Sequence, residues 1–79
     1  MLGDRLRALR ESRGLSQGAL AQKVGVSQGM ISHIERGRRR PSLPTLMRLI
    51  QALEAPQREV LQWFSEEFLP WLSKEDVRR

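Results

Sequence analysis

The sequence predicts an all-α fold, one small domain of about five helices organised around a central helix-turn-helix. Three observations carry this. Apolar residues recur three or four apart along most of the chain, and no segment alternates with the period of a strand. The stretch from Leu15 to Gly37, LSQGALAQKVGVSQGMISHIERG, reads as two short helices joined by a tight turn at Gly25 and followed at once by Arg38, Arg39 and Arg40. The chain has 79 residues and no cysteine, which suffices for one domain held by apolar packing alone. Packing is marginal at that size, so a second copy is expected to help.

Taken in order, Leu2, Leu6 and Leu9 mark a first amphipathic helix, with Arg5, Arg7, Arg10 and Arg13 spread over its remaining surface and Gly14 placed to end it. Ser16 is a good N-cap, and Gln17, Leu20, Ala21 and Val24 follow in a second helix that stops at Gly25. Ser27 repeats the device for a third helix, 27–36, with Ile31 and Ile34 on its buried face. Arg36 to Ser42 is an arginine-rich connector ended by Pro41. Ser42 then caps a fourth helix marked by Leu43, Leu46, Met47, Ile50 and Leu53, in which Pro44 falls in the tolerant first turn. Pro56 starts a fifth, with Val60, Leu61, Phe64, Phe68 and Leu72 three or four apart, and Pro70 is expected to end or kink it. Residues 1–69 are thus expected to form the helix-turn-helix domain, and 70–79 a C-terminal tail that is a candidate dimerisation extension.

Charge is unevenly placed. Residues 1–50 hold ten Lys and Arg against three acids, whereas 51–79 hold four against six. A basic front and an acidic rear suggest a polyanion partner for the first and another task for the second. No apolar run approaches the ~18 to 20 residues of a membrane span, and the N-terminus lacks the apolar core of a secretory signal. Together with the lack of cysteine, this leads us to expect a cytoplasmic protein with no membrane partner.

In a helix-turn-helix the crossing helices need a small residue between them, which Ala21 supplies, and a residue tolerant of the left-handed conformation in the turn, which Gly25 supplies. Leu20, Val26, Ile31 and Ile34 fall on the inward faces. With the following RPSLPTLMRLIQAL, the stretch resembles the Cro/C1-type (lambda repressor-like, XRE) helix-turn-helix family of prokaryotic and phage regulators, over roughly residues 5–54. The resemblance implies a lambda repressor-like bundle whose third helix lies in the major groove of double-stranded DNA. Its base-reading positions here are Gln28, Gly29, Ser32 and His33, with Met30 nearby. A glutamine can donate to and accept from adenine together, worth ~1 to 3 kcal/mol of discrimination. Gln17, at the start of the second helix, matches a phosphate-gripping position, and Arg38, Arg39 and Arg40 match a loop that runs beside the DNA backbone. Arg10 and Glu35 match an internal ion pair of some relatives, with Arg10 able to reach phosphate as well. Two glycines depart from the pattern: Gly18 follows the helix-2 glutamine, and Gly29 replaces a base-reading side chain.

All four aromatic residues, Trp63, Phe64, Phe68 and Trp71, fall within the acidic third. Phe64 and Leu61 are expected in the core. Trp63, Phe68, Trp71 and Leu72 are the expected interface of a homodimer, or of a protein partner. The leading function is a sequence-specific DNA-binding transcriptional regulator, a repressor-like dimer on a palindromic operator. The alternative is an antitoxin or other partner-binding protein whose DNA binding is autoregulatory. An enzyme is not expected, since there is one histidine, no cysteine, no glycine-rich phosphate loop and no paired carboxylate in a plausible cleft. No cofactor is expected, and His33 has no partners with which to complete a metal site.

Overall fold

A computed structural model of the chain describes residues 2–67. They form five helices and no strand: α1 Leu2–Ser12, α2 Gln17–Val24, α3 Gln28–Glu35, α4 Leu43–Leu53 and α5 Gln57–Glu67. Three starts are fixed by serine caps, as expected. Ser16, Ser27 and Ser42 adopt extended backbone, and each side-chain oxygen accepts from the backbone N–H three residues on, in Ala19, Met30 and Thr45. Pro44 lies in the first turn of α4, where its missing N–H would have had no partner.

The first four helices end with one device. After each, a residue turns left-handed, and two backbone N–H groups fold back onto the last carbonyls. For α3, Gly37 (φ 75°) donates to Ile34 at 3.1 Å and Arg38 to His33 at 2.9 Å. Gly14 and Gly25 play the same part after α1 and α2. After α4 the left-handed residue is Glu54, at φ 52°, where a side chain is disfavoured by about 1–2 kcal/mol. Arg13 compensates from α1's end by donating to the carbonyls of Leu53 and Glu54, both at 2.8 Å. This tie joins the end of α1 to the end of α4, and the helical pattern alone had left Arg13 on the surface.

The core lies where α2 packs against α3 and α4, and α1 against α3 and α4. Leu6, Leu20, Ile31, Leu49 and Leu53 are its most completely buried large side chains. Ala21 is buried at the α2 crossing, as the motif requires. Several expectations are corrected. On α4 the buried row is Leu46, Leu49 and Leu53, while Leu43 and Met47, two of the apolar residues that mark the helix, are more than half exposed. Every one of these residues fits a helical period, and the side facing α1 and α2 decides between them. On α5, Trp63, expected at a dimer interface, is only 3% exposed, because the domain's own core takes it. Leu61, expected in the core, is 63% exposed, and Phe64 packs partly buried against the core. The helix turns once in 3.6 residues, so Trp63 inside places Leu61, two positions away, nearly opposite. The expected interface residues Phe68, Trp71 and Leu72, the Pro70 break and the 70–79 tail lie outside the described residues.

Two contacts set α1 against α3. At Gly3 the helices touch backbone to backbone: a Cβ there would stand 2.5 Å from the Ile34 carbonyl oxygen and 2.6 Å from that of Glu35. Seven residues on, Arg10 reaches Glu35. Its Nε donates to Oε2 at 2.7 Å and its Nη2 to Oε1 at 3.1 Å, while Nη1 donates to the Leu15 carbonyl at 2.8 Å. Each partner is 8% exposed. Arg10 is therefore withdrawn from the phosphate contacts it was expected to make. It is buried, and all three guanidinium nitrogens have acceptors inside the protein.

Two outcomes follow for stability. Gly3→Ala should lower stability by about 1–3 kcal/mol despite alanine's better helix propensity, because neither carbonyl can yield without moving α3; urea unfolding measures it, and a gain would show that the helices can part cheaply. Glu35→Ala should cost about 3 kcal/mol by leaving Arg10 buried without its counter-charge, and Arg10→Met combined with Glu35→Leu should recover most of that loss in the same assay.

Candidate nucleic-acid interface

The second helix of the motif, α3, is apolar on one side only. Ile31 and Ile34 are buried, whereas Gln28, Gly29 and His33 are exposed and Ser32 is half-buried. Three of the four expected base-reading positions thus share a face left open by the described residues, and the fourth borders it. Among the described residues the Gln28 amide has no hydrogen-bond partner. An exposed primary amide at the first turn of a short helix can offer one acceptor and one donor to a base edge in the major groove. Gly29 contributes backbone only, so the readable chemistry of this face is concentrated in Gln28, Ser32 and His33.

The loop after α3 carries Arg36, Arg38, Arg39 and Arg40, all exposed. The ion pairs formed within the described residues are Arg5–Glu66, Arg7–Glu11 and Arg10–Glu35. Arg36, Arg38 and Arg39 take part in none of these, so their charge faces solvent. The loop starts from a fixed point, since the backbone N–H groups of Arg38 and Arg39 both donate to the His33 carbonyl, at 2.9 and 3.3 Å. Arginine spaced along such a loop suits a phosphate backbone, because its planar fork can hold two phosphate oxygens at once.

Gln17, expected to grip a phosphate, has its side chain engaged within the protein. Its side-chain nitrogen donates to Glu35 Oε1 at 3.0 Å, adding a third group to the Arg10–Glu35 pair. That leaves its backbone N–H at the open end of α2, where the helix dipole favours an anion. The shared acceptor has an electrostatic consequence. The hydrogen bond from Arg10 to Glu35 holds the Arg10 guanidinium above its ordinary pKa, against the opposing effect of burial.

An open groove brings Gln17 together with Gly3, Asp4, Arg7, Arg10, Glu35 and Arg36. Arg7 and Arg36 were not among the expected phosphate residues. Neither carries a sequence signal of its own, since one is a surface residue of α1 and the other follows α3. They converge because α1 and α3 are clamped together at Gly3 and Arg10. Among the described residues no group of His, Cys, Asp and Glu could hold a metal ion, and no helix is long and apolar enough to cross a membrane.

Comparison with known proteins agrees with this geometry. The family described as "Helix-turn-helix domain" matches residues 1–63. The HTH-type transcriptional repressor RghR of Bacillus subtilis is 47% identical over 55 residues, which cover 68% of this chain and 41% of RghR. The chain thus spans less than half the length of that relative. Two solved structures superpose on it. One is the restriction-modification controller protein C.AhdI of Aeromonas hydrophila, with TM-score 0.68, 42% identity and coverage of 72% of this chain and 86% of that one. The other is the clp gene regulator ClgR of Corynebacterium glutamicum, with TM-score 0.73, 33% identity and coverage of 99% and 83%. With the motif, its flanking helices and these likenesses in agreement, the chain belongs to the helix-turn-helix domain family of transcriptional regulators, in its Cro/C1-type, lambda repressor-like form.

Proposed function

We propose that this chain is a sequence-specific DNA-binding transcriptional regulator that acts as a dimer on a roughly palindromic operator. The observation that carries the reading is the open face of α3, with an unpartnered Gln28 amide at its start and an exposed arginine loop at its end. Base contacts and phosphate contacts are divided between the two. Gln28, with Ser32 and His33, meets base edges in the major groove, and Gly29 lets the backbone come close. Arg38, Arg39 and Arg40, with Arg36 and the Gln17 backbone N–H, grip the phosphates and set the register. The likenesses to a repressor and a controller protein support a regulatory role.

One copy of α3 spans too few base pairs to specify an operator, and two copies about a two-fold axis would read half-sites ~34 Å apart. The C-terminal third is the surface for that pairing, through Phe68, Trp71 and Leu72. Leu61, exposed on α5, joins them in place of Trp63. The antitoxin alternative would place a different protein on this surface.

Three measurements test the proposal. Selection from a random DNA pool should return a site with two-fold symmetry. On that site Gln28→Ala should lose ~1 to 3 kcal/mol with little change on scrambled DNA, whereas Arg39→Ala should weaken both alike and lower the salt slope by ~1; equal losses on both DNAs for Gln28→Ala would end the case for direct readout. Sedimentation at low micromolar concentration should show a dimer that Leu61→Glu weakens. A monomer with intact operator binding would refute the pairing, and co-purification with an untagged second protein would favour the antitoxin reading.

A further inference from the structure

Gly18 occupies the first turn of α2, directly after Gln17, at a position where most residues form helix better than glycine. Its backbone gives no reason for the choice, since Gly18 is not among the residues with positive φ. The reason lies across the turn. A Cβ built on Gly18 would stand 3.3 Å from Gln28 Oε1 and 3.8 Å from Gln28 Cδ, with Ser16 Oγ at 3.9 Å. The amide of Gln28 fills the space that a side chain at 18 would take. Gly29 is the contrast: a Cβ there would meet only Ser27 Oγ, at 3.9 Å, so its missing side chain makes room for no neighbouring group.

We propose that Gly18 is a positioning residue for Gln28. The bare first turn of α2 gives the Gln28 amide a surface to lie against, and so sets the orientation from which it meets a base. This rests on the reading of Gln28 as a base contact. An amide that recognises adenine must offer its oxygen to N6 and its nitrogen to N7 together, so the plane of the amide decides the contact as much as its reach. Glutamine turns about three side-chain bonds, and a backbone wall on one side removes orientations before DNA arrives, which lessens the entropy lost on binding. A methyl group at 18 would press on Oε1 more closely than ordinary contact allows. Gln28 is exposed and able to swing away, so the fold would tolerate the change while the amide lost its bearing.

A double-mutant cycle tests this. Gly18→Ala, Gln28→Ala and the double variant are compared on the duplex that the wild-type protein selects from a random pool and on a duplex of scrambled sequence, with thermal unfolding of each. Gly18→Ala should unfold at or above the wild-type temperature and bind the scrambled duplex unchanged, yet lose about three- to tenfold on the selected one. In the Gln28→Ala background the same substitution should change neither binding. In the free protein it should also move the Gln28 side-chain amide resonances. If Gln28→Ala lowers the selected-to-scrambled ratio and Gly18→Ala does not, the proposal is overturned and the base contact stands. Equal losses in both backgrounds overturn it too, by assigning the effect to α2 itself. An unchanged ratio in Gln28→Ala removes the base contact, and the proposal with it.

Discussion

Arg10 and Glu35 stand 25 positions apart, and their two-pronged contact is what holds the first helix against the third. Three elements meet there. Arg10 comes from α1 and Glu35 from the last turn of α3, and Gln17 from the start of α2 shares the same carboxylate. The Leu15 carbonyl takes the remaining guanidinium nitrogen, so the loop between α1 and α2 is tied in as well. A buried pair of this kind contributes little net stability over an apolar replacement, because desolvation offsets most of the attraction. What it does supply is orientation. Glu35 lies seven residues, nearly two helical turns, beyond Gln28, and fixing it limits how far the exposed face of α3 can roll.

The rest of the scaffold keeps that orientation rigid. Close backbone approach at Gly3 brings α1 onto the end of α3, and the Arg13 contacts bring the other end of α1 to the end of α4. The helix ends repeat one left-handed motif, three times with glycine and once with Glu54, so the connections between helices are short and their directions set by backbone hydrogen bonds. In a bundle of five short helices the direction of each rests on its contacts with the others. Precision must come from the contacts between its few elements.

Affinity and selectivity fall to different parts of the same surface. Arg36, Arg38 and Arg39 take part in none of the ion pairs Arg5–Glu66, Arg7–Glu11 and Arg10–Glu35, and the exposed arginine loop offers charge without sequence information. Information must come from a small set of side chains, since glycine at 29 leaves that position without one. The geometry around Gly18 and Gln28 suggests how so sparse a face could be selective: fewer contacts, each held more closely.

Much of this architecture is local in origin and therefore readable in the sequence. Serine caps, glycine ends and three-to-four periodicity act within a turn or two of the residues that carry them. They place all five helices, the tight turn at Gly25 and the exposed face of α3. What the sequence by itself could not determine is which side of a helix faces its neighbours when both sides are apolar. On α4 the choice of Leu49 over Met47, and on α5 that of Trp63 over Leu61, depend on where α1 and α2 lie. The same holds for Arg13, Gly3 and Gly18. Each looks like a surface arginine or a weak helix residue in the sequence, and each acquires its role from a partner 10 to 41 positions away. The Arg10–Glu35 pair, by contrast, was already implied by the family resemblance. Hydrogen bonds between neighbours in the chain can be inferred from order alone, but burial and long-range pairing exist only once the helices have packed.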